Sequence, residues 1–224
     1  MAVTPVLSIE LPENEGAHLG GGRTQVKLAA AKGRSGVMVP VEPLCDDAGM
    51  DLPVRRAVSS DVAALHALVQ RCYRGDEARR GWTHEADLLG GQRIDAPALA
   101  AIVADPAQEI LVAADGGAVA GCVQIADQGG GRARLGLLSV DPGQQAAGLG
   151  TRLIQAAEQE ATARFAATHM EMTVIAQRTE LIAYYGRRGY APTGEARPFP
   201  LDDPRFGLPM RRDLAFAVLV KTLV

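Results

Sequence analysis

The segment from Ala133 to Phe165 constrains the fold of this chain more than any other. Its first part, Ala133–Val140, is rich in leucine and predicts a strand that we expect to be buried on both faces. Pro142 interrupts this strand, and apolar residues then recur at helical spacing up to Phe165. The sequence therefore predicts a buried strand, a short loop and a long helix in direct succession.

The loop between this strand and helix is suited to binding a phosphate group. Helix N-termini carry unpaired N–H groups and a partial positive charge, and Gly148 and Gly150 lack the Cβ atoms that would keep an anion away. A dinucleotide fingerprint would need a third glycine, and a P-loop would need a Gly-Lys-Ser/Thr ending, so neither matches. The remaining alternative is a plain strand–turn–helix joint.

Two motifs of this chain resemble those of the GNAT superfamily of N-acetyltransferases. The spacing Gln145-x-x-Gly148-x-Gly150 is similar to the Q/R-x-x-G-x-G/A signature of that superfamily. The run Ala183-Tyr184-Tyr185-Gly186-Arg187-Arg188-Gly189-Tyr190 resembles its second signature, A-x-F-Y-x-x-x-G-F. The resemblance covers residues 50–224, and residues 81–86 and 193–200 look similar to one bacterial branch whose members mostly have no established substrate.

The resemblance implies an α/β (α+β) fold of the GNAT type. Its sheet would be mixed, mostly antiparallel, of about seven strands, splayed between the fourth and the fifth, and flanked by about four helices. The elements read along the chain, β, α, α, β, β, β, α, β, α, β, β, follow the same order. Residues 1–49 keep no period and are predicted to be a disordered extension before an N-acetyltransferase domain over 50–224.

A site for acetyl-CoA is the next implication of the resemblance. Backbone N–H groups of the loop and Thr151 would hold the pyrophosphate, and the pantetheine arm would lie along residues 138–140, where an N–H of Leu138 or Ser139 would polarise the thioester carbonyl. Arg178 departs from the pattern, because many relatives carry asparagine there. The expected cofactor-binding residues are Leu138, Ser139, Val140, Gln145, Ala146, Ala147, Gly148, Leu149, Gly150, Thr151 and Arg178.

Two residues are predicted to take part in catalysis. Tyr185 corresponds to the tyrosine that protonates the leaving CoA thiolate in many relatives. Tyr184 is turned about 100° away on a helix, so only one of the two is expected to face the cofactor. Glu85 is the first candidate for the base that accepts the proton of the acceptor amine, with His84, Glu171 and a chain of water molecules as alternatives.

Composition and charge exclude several kinds of partner. The net charge of −3 gives no general attraction to nucleic acid or to an anionic membrane. No His, Asp or Glu pattern has the spacing of metal ligands, and no apolar run approaches the ~20 residues of a membrane helix. The three cysteines are far apart, which indicates free thiols and a cytoplasmic location.

The sequence therefore predicts an acyltransferase that moves an acetyl group from acetyl-CoA to an amine by direct attack on the thioester. A small-molecule acceptor is expected rather than a protein, because no peptide-docking groove can be read from the sequence. A homodimer is common for this fold. The alternative is a non-catalytic acyl-CoA-binding sensor or interaction module, and transfer of a longer acyl chain is a third hypothesis.

Overall fold

The computed structural model of the chain describes residues 52–115 and 118–223. The predicted N-terminal extension over 1–49 lies outside the described residues, as do Gly116 and Gly117. The strands that precede and follow these two glycines pair with each other.

Regular elements alternate along the first half of the described chain. Asp61 stabilises the 3-10 turn over Ser59–Asp61 that leads into the first helix, because its carboxylate accepts a hydrogen bond from the backbone N–H of Val58 at 2.8 Å. The elements are β1 (Val54–Arg56), α1 (Val62–Tyr73), α2 (Gly75–Ala78), β2 (Leu89–Gly90), α3 (Ala96–Ala104), β3 (Gln108–Asp115) and β4 (Ala118–Asp127).

The second half contains the segment with the predicted loop. Its elements are β5 (Arg132–Val140), α4 (Leu149–Phe165), β6 (His169–Ile175), α5 (Thr179–Gly186), β7 (Ala191–Pro198), β8 (Leu208–Pro209) and β9 (Ala215–Thr222). The described residues thus hold five α-helices where about four were expected, and the additional one, α2, is a single turn. The short β2–β8 ladder is a further element that the sequence did not predict.

Seven strands form one sheet in the order β1-β3-β4-β5-β6-β9-β7. Every neighbouring pair is antiparallel except β5 and β6, which run parallel and form its fourth and fifth members. These two strands pair only between residues 132–134 and 169–171. Their C-terminal halves diverge, which confirms the predicted fold and the position of the splay.

Helices cover the sheet on both faces. On one face α4 packs over β3, β4 and β5, and on the other α1 packs over β4 and β5 while α3 packs over β3. Leu111 and Ala113 therefore belong to the core under α4, whereas Ile110 and Val112 belong to the core under α1 and α3. The strands that are buried on both faces are β3 and β4.

The prediction that residues 133–140 are buried on both faces was wrong. Burial alternates along β5, with Leu135, Leu137 and Ser139 buried and Leu138 and Val140 half-buried. Leu138 and Val140 are incompletely covered because they line the cavity that the splay opens. A leucine-rich sequence does not distinguish a strand under a helix from a strand that forms the wall of a cleft.

Candidate active site

A cavity of about 640 Å³ opens where β5 and β6 diverge. Its walls come from the end of β5, the loop and first turn of α4, helix α5, and the segment that follows α2. Because β5 makes no ladder with β6 beyond Arg134, that edge of the strand faces the cavity. Parallel strands that separate in this way give a ligand access to backbone groups that a closed sheet would use internally.

The loop between β5 and α4 has the backbone geometry of an anion site. Gly148 has a φ of +76°, and a Cβ at this position would meet nothing within 4 Å, so the loop surface is open in front of it. Ala146 also adopts a left-handed φ of +72°, a conformation that costs a non-glycine residue about 1 kcal/mol. The first hydrogen bonds within α4 are donated by the backbone N–H groups of Thr151 and Arg152. The N–H groups of the residues before Thr151 are therefore not used by the hydrogen bonds of the helix.

Most of the predicted cofactor residues meet at this cavity. Ala147 is the exception in the loop, because it does not line the cavity. The predicted residues that do line it are Leu138, Ser139, Val140, Gln145, Ala146, Gly148, Leu149, Gly150, Thr151, Arg178 and Tyr185.

The open edge of β5 is partly engaged by side chains. The Tyr73 hydroxyl donates to the carbonyl of Leu138 at 3.0 Å, and the Cys72 thiol donates to the carbonyl of Val140 at 3.3 Å. The Leu138 carbonyl oxygen has a second lone pair and can accept one further hydrogen bond, whereas the Val140 carbonyl oxygen also accepts from Nε2 of Gln145 at 3.1 Å. Sequence analysis missed Tyr73, because its position at the end of an amphipathic helix gives no sign that it reaches the neighbouring strand.

Cys72 lines the cavity but is unsuited to forming an acyl-cysteine. Burial raises the pKa of its thiol to about 12, so the sulfur stays protonated at neutral pH. Transfer through a cysteine thioester is therefore disfavoured at this site.

Gln145 connects two walls of the cavity. Its Oε1 accepts from the backbone N–H of Trp82 at 3.0 Å, and its Nε2 donates to the carbonyl of Val140 at 3.1 Å. The segment after α2 is held on its other side by Thr83, which donates to Glu180 of α5 at 3.1 Å. Residues 81–83 therefore cross the cleft from the phosphate loop to α5.

Replacing Gln145 with alanine is expected to lower the free energy of unfolding by about 1–2 kcal/mol, because both hydrogen bonds are lost. Trp82 is the only tryptophan of the chain, so release of this segment should also change the fluorescence emission. The control is Gln144→Ala, since the Gln144 side chain lines the cavity without a hydrogen bond to another described residue. Equal unfolding curves and equal emission for the two variants would contradict the connecting role of Gln145.

Glu85 lies in a buried ion-pair cluster and does not line the cavity. Its two carboxylate oxygens accept from Nη1 of Arg74 at 2.7 Å and from Nη1 of Arg178 at 2.9 Å. Burial alone would raise the pKa of Glu85, but the guanidinium groups of Arg93, Arg178 and Arg74 outweigh this effect and hold the pKa below its ordinary value. A carboxylate that is so strongly stabilised in its charged form is a poor proton acceptor, so this environment argues against the predicted role of Glu85 as a base.

Arg178 joins this cluster to the cavity. Besides Glu85, its guanidinium contacts Thr83, to which Nη2 donates at 3.0 Å. Its side chain is about nine-tenths buried, and its Nε has no hydrogen-bond partner among the described residues. The residue therefore lines the predicted cofactor site, and two of its five N–H donors hold Glu85 and Thr83.

The other candidates for the base also lie away from the cavity lining. Glu171 forms an ion pair with Arg197 at 2.7 Å, and His84 lies 3.8 Å from Asp87. No aspartate or glutamate is found among the described residues that line the cavity, whereas Arg80, Arg178 and Arg188 are. The electrostatic character of the cavity is therefore cationic.

Both tyrosines of the second motif line the cavity, whereas only one of them was expected to face the cofactor. Tyr185 is almost fully buried, and this burial raises the pKa of its hydroxyl well above that of a free phenol. Tyr184 lies nearer to the loop, because its hydroxyl oxygen is 2.8 Å from the position that a Cβ of Gly150 would take. Trp82 packs against Tyr184 with ring centroids 5.2 Å apart and an angle of 39° between the ring planes.

No cluster of three or more His, Cys, Asp or Glu side chains suited to a metal ion occurs in the described part of the chain. Within the same residues, every helix is too short or too polar to cross a lipid bilayer.

The chain was compared with known families and structures. The model of a family described as the acetyltransferase (GNAT) family matches residues 62–190, which is more than half of the chain. No curated protein shows significant sequence similarity to it.

Several solved structures share the fold. YncA of Salmonella typhimurium, described as an acetyltransferase and solved with its cofactor acetyl-CoA, is 18% identical with a TM-score of 0.57, over 78% of this chain and 95% of that one. The ribosomal-protein-alanine N-acetyltransferase of Brucella melitensis is 17% identical with a TM-score of 0.57, over 77% and 100%. The ribosomal-protein-S18-alanine N-acetyltransferase of Escherichia coli is 15% identical with a TM-score of 0.56, over 76% and 93%.

Proposed function

The chain belongs to the GNAT acetyltransferase family, and on this basis we propose that it transfers the acetyl group of acetyl-CoA to the amino group of a small molecule. The observation that carries the proposal is the cavity between β5 and β6, which joins an anion-binding loop to a buried tyrosine and is lined, among the described residues, by arginines without a carboxylate. Its volume of about 640 Å³ suits a large anionic ligand.

The residues of the cavity fit the parts of acetyl-CoA in order. The backbone N–H groups of Gly148 and its neighbours, which come before the first hydrogen bonds of α4, would bind the pyrophosphate. The open edge of β5 at Leu138 would accept a hydrogen bond from a pantetheine amide, and a backbone N–H of this strand would polarise the thioester carbonyl. Acetyl-CoA supplies the acetyl group as an activated thioester.

Tyr185 would protonate the departing thiolate. Its raised pKa keeps the hydroxyl protonated at neutral pH, as a general acid requires.

The acceptor amine would lose its proton to water. This follows from the absence of an aspartate or glutamate among the described residues that line the cavity, and from the ion pairs that occupy Glu85. A small acceptor is supported by residues 81–83, which cross the cleft and reduce the room for an extended peptide.

The proposal is tested by mixing the purified protein with acetyl-CoA and a panel of amines and measuring the release of CoA thiol. Turnover with at least one small amine is expected, together with calorimetric binding of CoA. Binding without turnover across neutral, acidic and basic amines would favour the alternative of a non-catalytic acyl-CoA-binding module. Succinyl-CoA in a parallel series tests transfer of a longer acyl chain.

We place the enzyme in the cytoplasm, which agrees with the free thiols of Cys72 and Cys122. The homodimer stays a prediction, which light scattering on the purified protein tests.

A further inference from the structure

The wall of the cavity beside the phosphate loop carries an arginine that the sequence motifs did not single out. Arg188 follows the end of α5 and contacts Thr151 in the first turn of α4. Its Nε and Nη2 donate to the Thr151 hydroxyl oxygen at 3.2 Å and 2.6 Å, and its Nη1 donates to the carbonyl of Tyr184 at 2.8 Å. Its Cζ lies 3.4 Å from the centroid of the Tyr184 ring.

These contacts fix the guanidinium without neutralising it. No carboxylate forms an ion pair with Arg188 in the part of the chain that the structure describes. An arginine has five N–H donors, and the three contacts leave one on Nη1 and one on Nη2. Arg188 is therefore a held, uncompensated cation with two donors remaining at the edge of the cavity.

Thr151 is oriented by the same contacts. Its hydroxyl oxygen accepts from Arg188, and a hydroxyl also has one proton to donate. That proton is left for a further acceptor at the N-terminus of α4, where the first N–H groups of the helix precede its hydrogen-bond ladder.

We propose that Arg188 binds the pyrophosphate of the acetyl donor together with Thr151, the residue that the family resemblance already assigns to this group, and in addition to the backbone of the loop. This inference rests on the proposed function. Arg188 supplies charge and two N–H donors, and Thr151 supplies its O–H at the start of α4. The pyrophosphate is the phosphate group that this pair can reach, because Thr151 lies in the same helical turn as the N–H groups that bind it.

The test is calorimetric binding of CoA to the full chain and to Arg188→Gln. Loss of a charge-assisted contact is expected to weaken binding roughly 10- to 100-fold. The matched control is Arg187→Gln, since Arg187 is the adjacent residue but is exposed and does not line the cavity. Arg187→Gln should bind CoA within about twofold of the wild type. Arg188→Lys keeps the positive charge but loses the planar guanidinium with its several N–H donors. Its affinity for CoA is therefore expected to lie between those of the wild type and Arg188→Gln.

Two shorter probes locate the phosphate group. Dephospho-CoA lacks the 3′-phosphate and pantetheine lacks all phosphates. The ratio of the Arg188→Gln dissociation constant to the wild-type value should be the same for dephospho-CoA as for CoA, and close to one for pantetheine. A ratio of the two dissociation constants near one with dephospho-CoA would overturn the pyrophosphate assignment. A ratio with pantetheine as large as the ratio with CoA would overturn it as well, because it would show that the variant disturbs the cavity itself. A wild-type protein that binds no CoA would instead overturn the proposed function.

Discussion

Glu85→Ala is expected to lower the free energy of unfolding by about 3–5 kcal/mol, because it leaves buried arginine side chains without their counter-charge. Arg74 and Arg178 both donate to this carboxylate, and both are buried. Urea unfolding followed by circular dichroism measures the loss. The matched control is Glu77→Ala, since Glu77 is exposed and should change the free energy by less than about 0.5 kcal/mol. Equal unfolding midpoints for the two variants would contradict the structural role of Glu85.

The pH dependence of stability gives a second measurement at the same residue. The pKa of Glu85 is lower in the folded chain than in the unfolded chain, so the unfolded chain binds this proton more readily. Its contribution to stability is therefore complete above the unfolded pKa of about 4.3 and is lost as the pH falls through the lower folded value. The difference in stability between wild type and Glu85→Gln should accordingly be largest near neutral pH and shrink on acidification below about pH 4.

The fold could be predicted because its evidence is local in the sequence. Pro142 follows the end of a strand, Gly148 lies at the start of a helix, and Gly189, with a φ of +89°, lies in the turn that follows α5. Each of these signals follows from the conformation of one residue, and their order along the chain gives the order of the elements. The separation of β5 from β6 could be predicted only from the family resemblance. No single residue of either strand shows where the two strands separate.

The chemistry of the site was harder to predict because it depends on residues distant in sequence. Glu85 stands beside His84 and Trp82, which suggested a catalytic carboxylate, but its charge is taken up by Arg178, 93 residues further along the chain. Arg188 contacts Thr151 over 37 residues, so its place at the cavity cannot be read from the motif that contains it. Ion pairs decide whether a charged side chain is available to a ligand, and sequence spacing does not reveal them.

Tyr185→Phe is expected to lower kcat by about 10²- to 10³-fold, because it removes the only atom of that side chain that can donate a proton. The dissociation constant of CoA should change by less than about twofold, since the ring still fills its buried position. The measurement is thiol release at saturating acetyl-CoA, combined with calorimetry of CoA binding to the same preparation. Wild-type turnover by the variant on a confirmed acceptor would refute the assignment of Tyr185 as the acid.

Tyr184→Phe separates the two tyrosines of the motif. The Tyr184 hydroxyl lies beside Gly150 of the phosphate loop, so its removal should act mainly on KM for acetyl-CoA and leave kcat within a few-fold of the wild type. The pH profile adds an independent check, because burial raises the pKa of Tyr185 well above that of a free phenol. Ionisation of Tyr185 should therefore cause no loss of kcat below about pH 10. The contradicting result is a decline in kcat that begins near pH 8 in wild type and is absent in Tyr185→Phe. Such a decline would mean that the hydroxyl is less buried than its surroundings indicate.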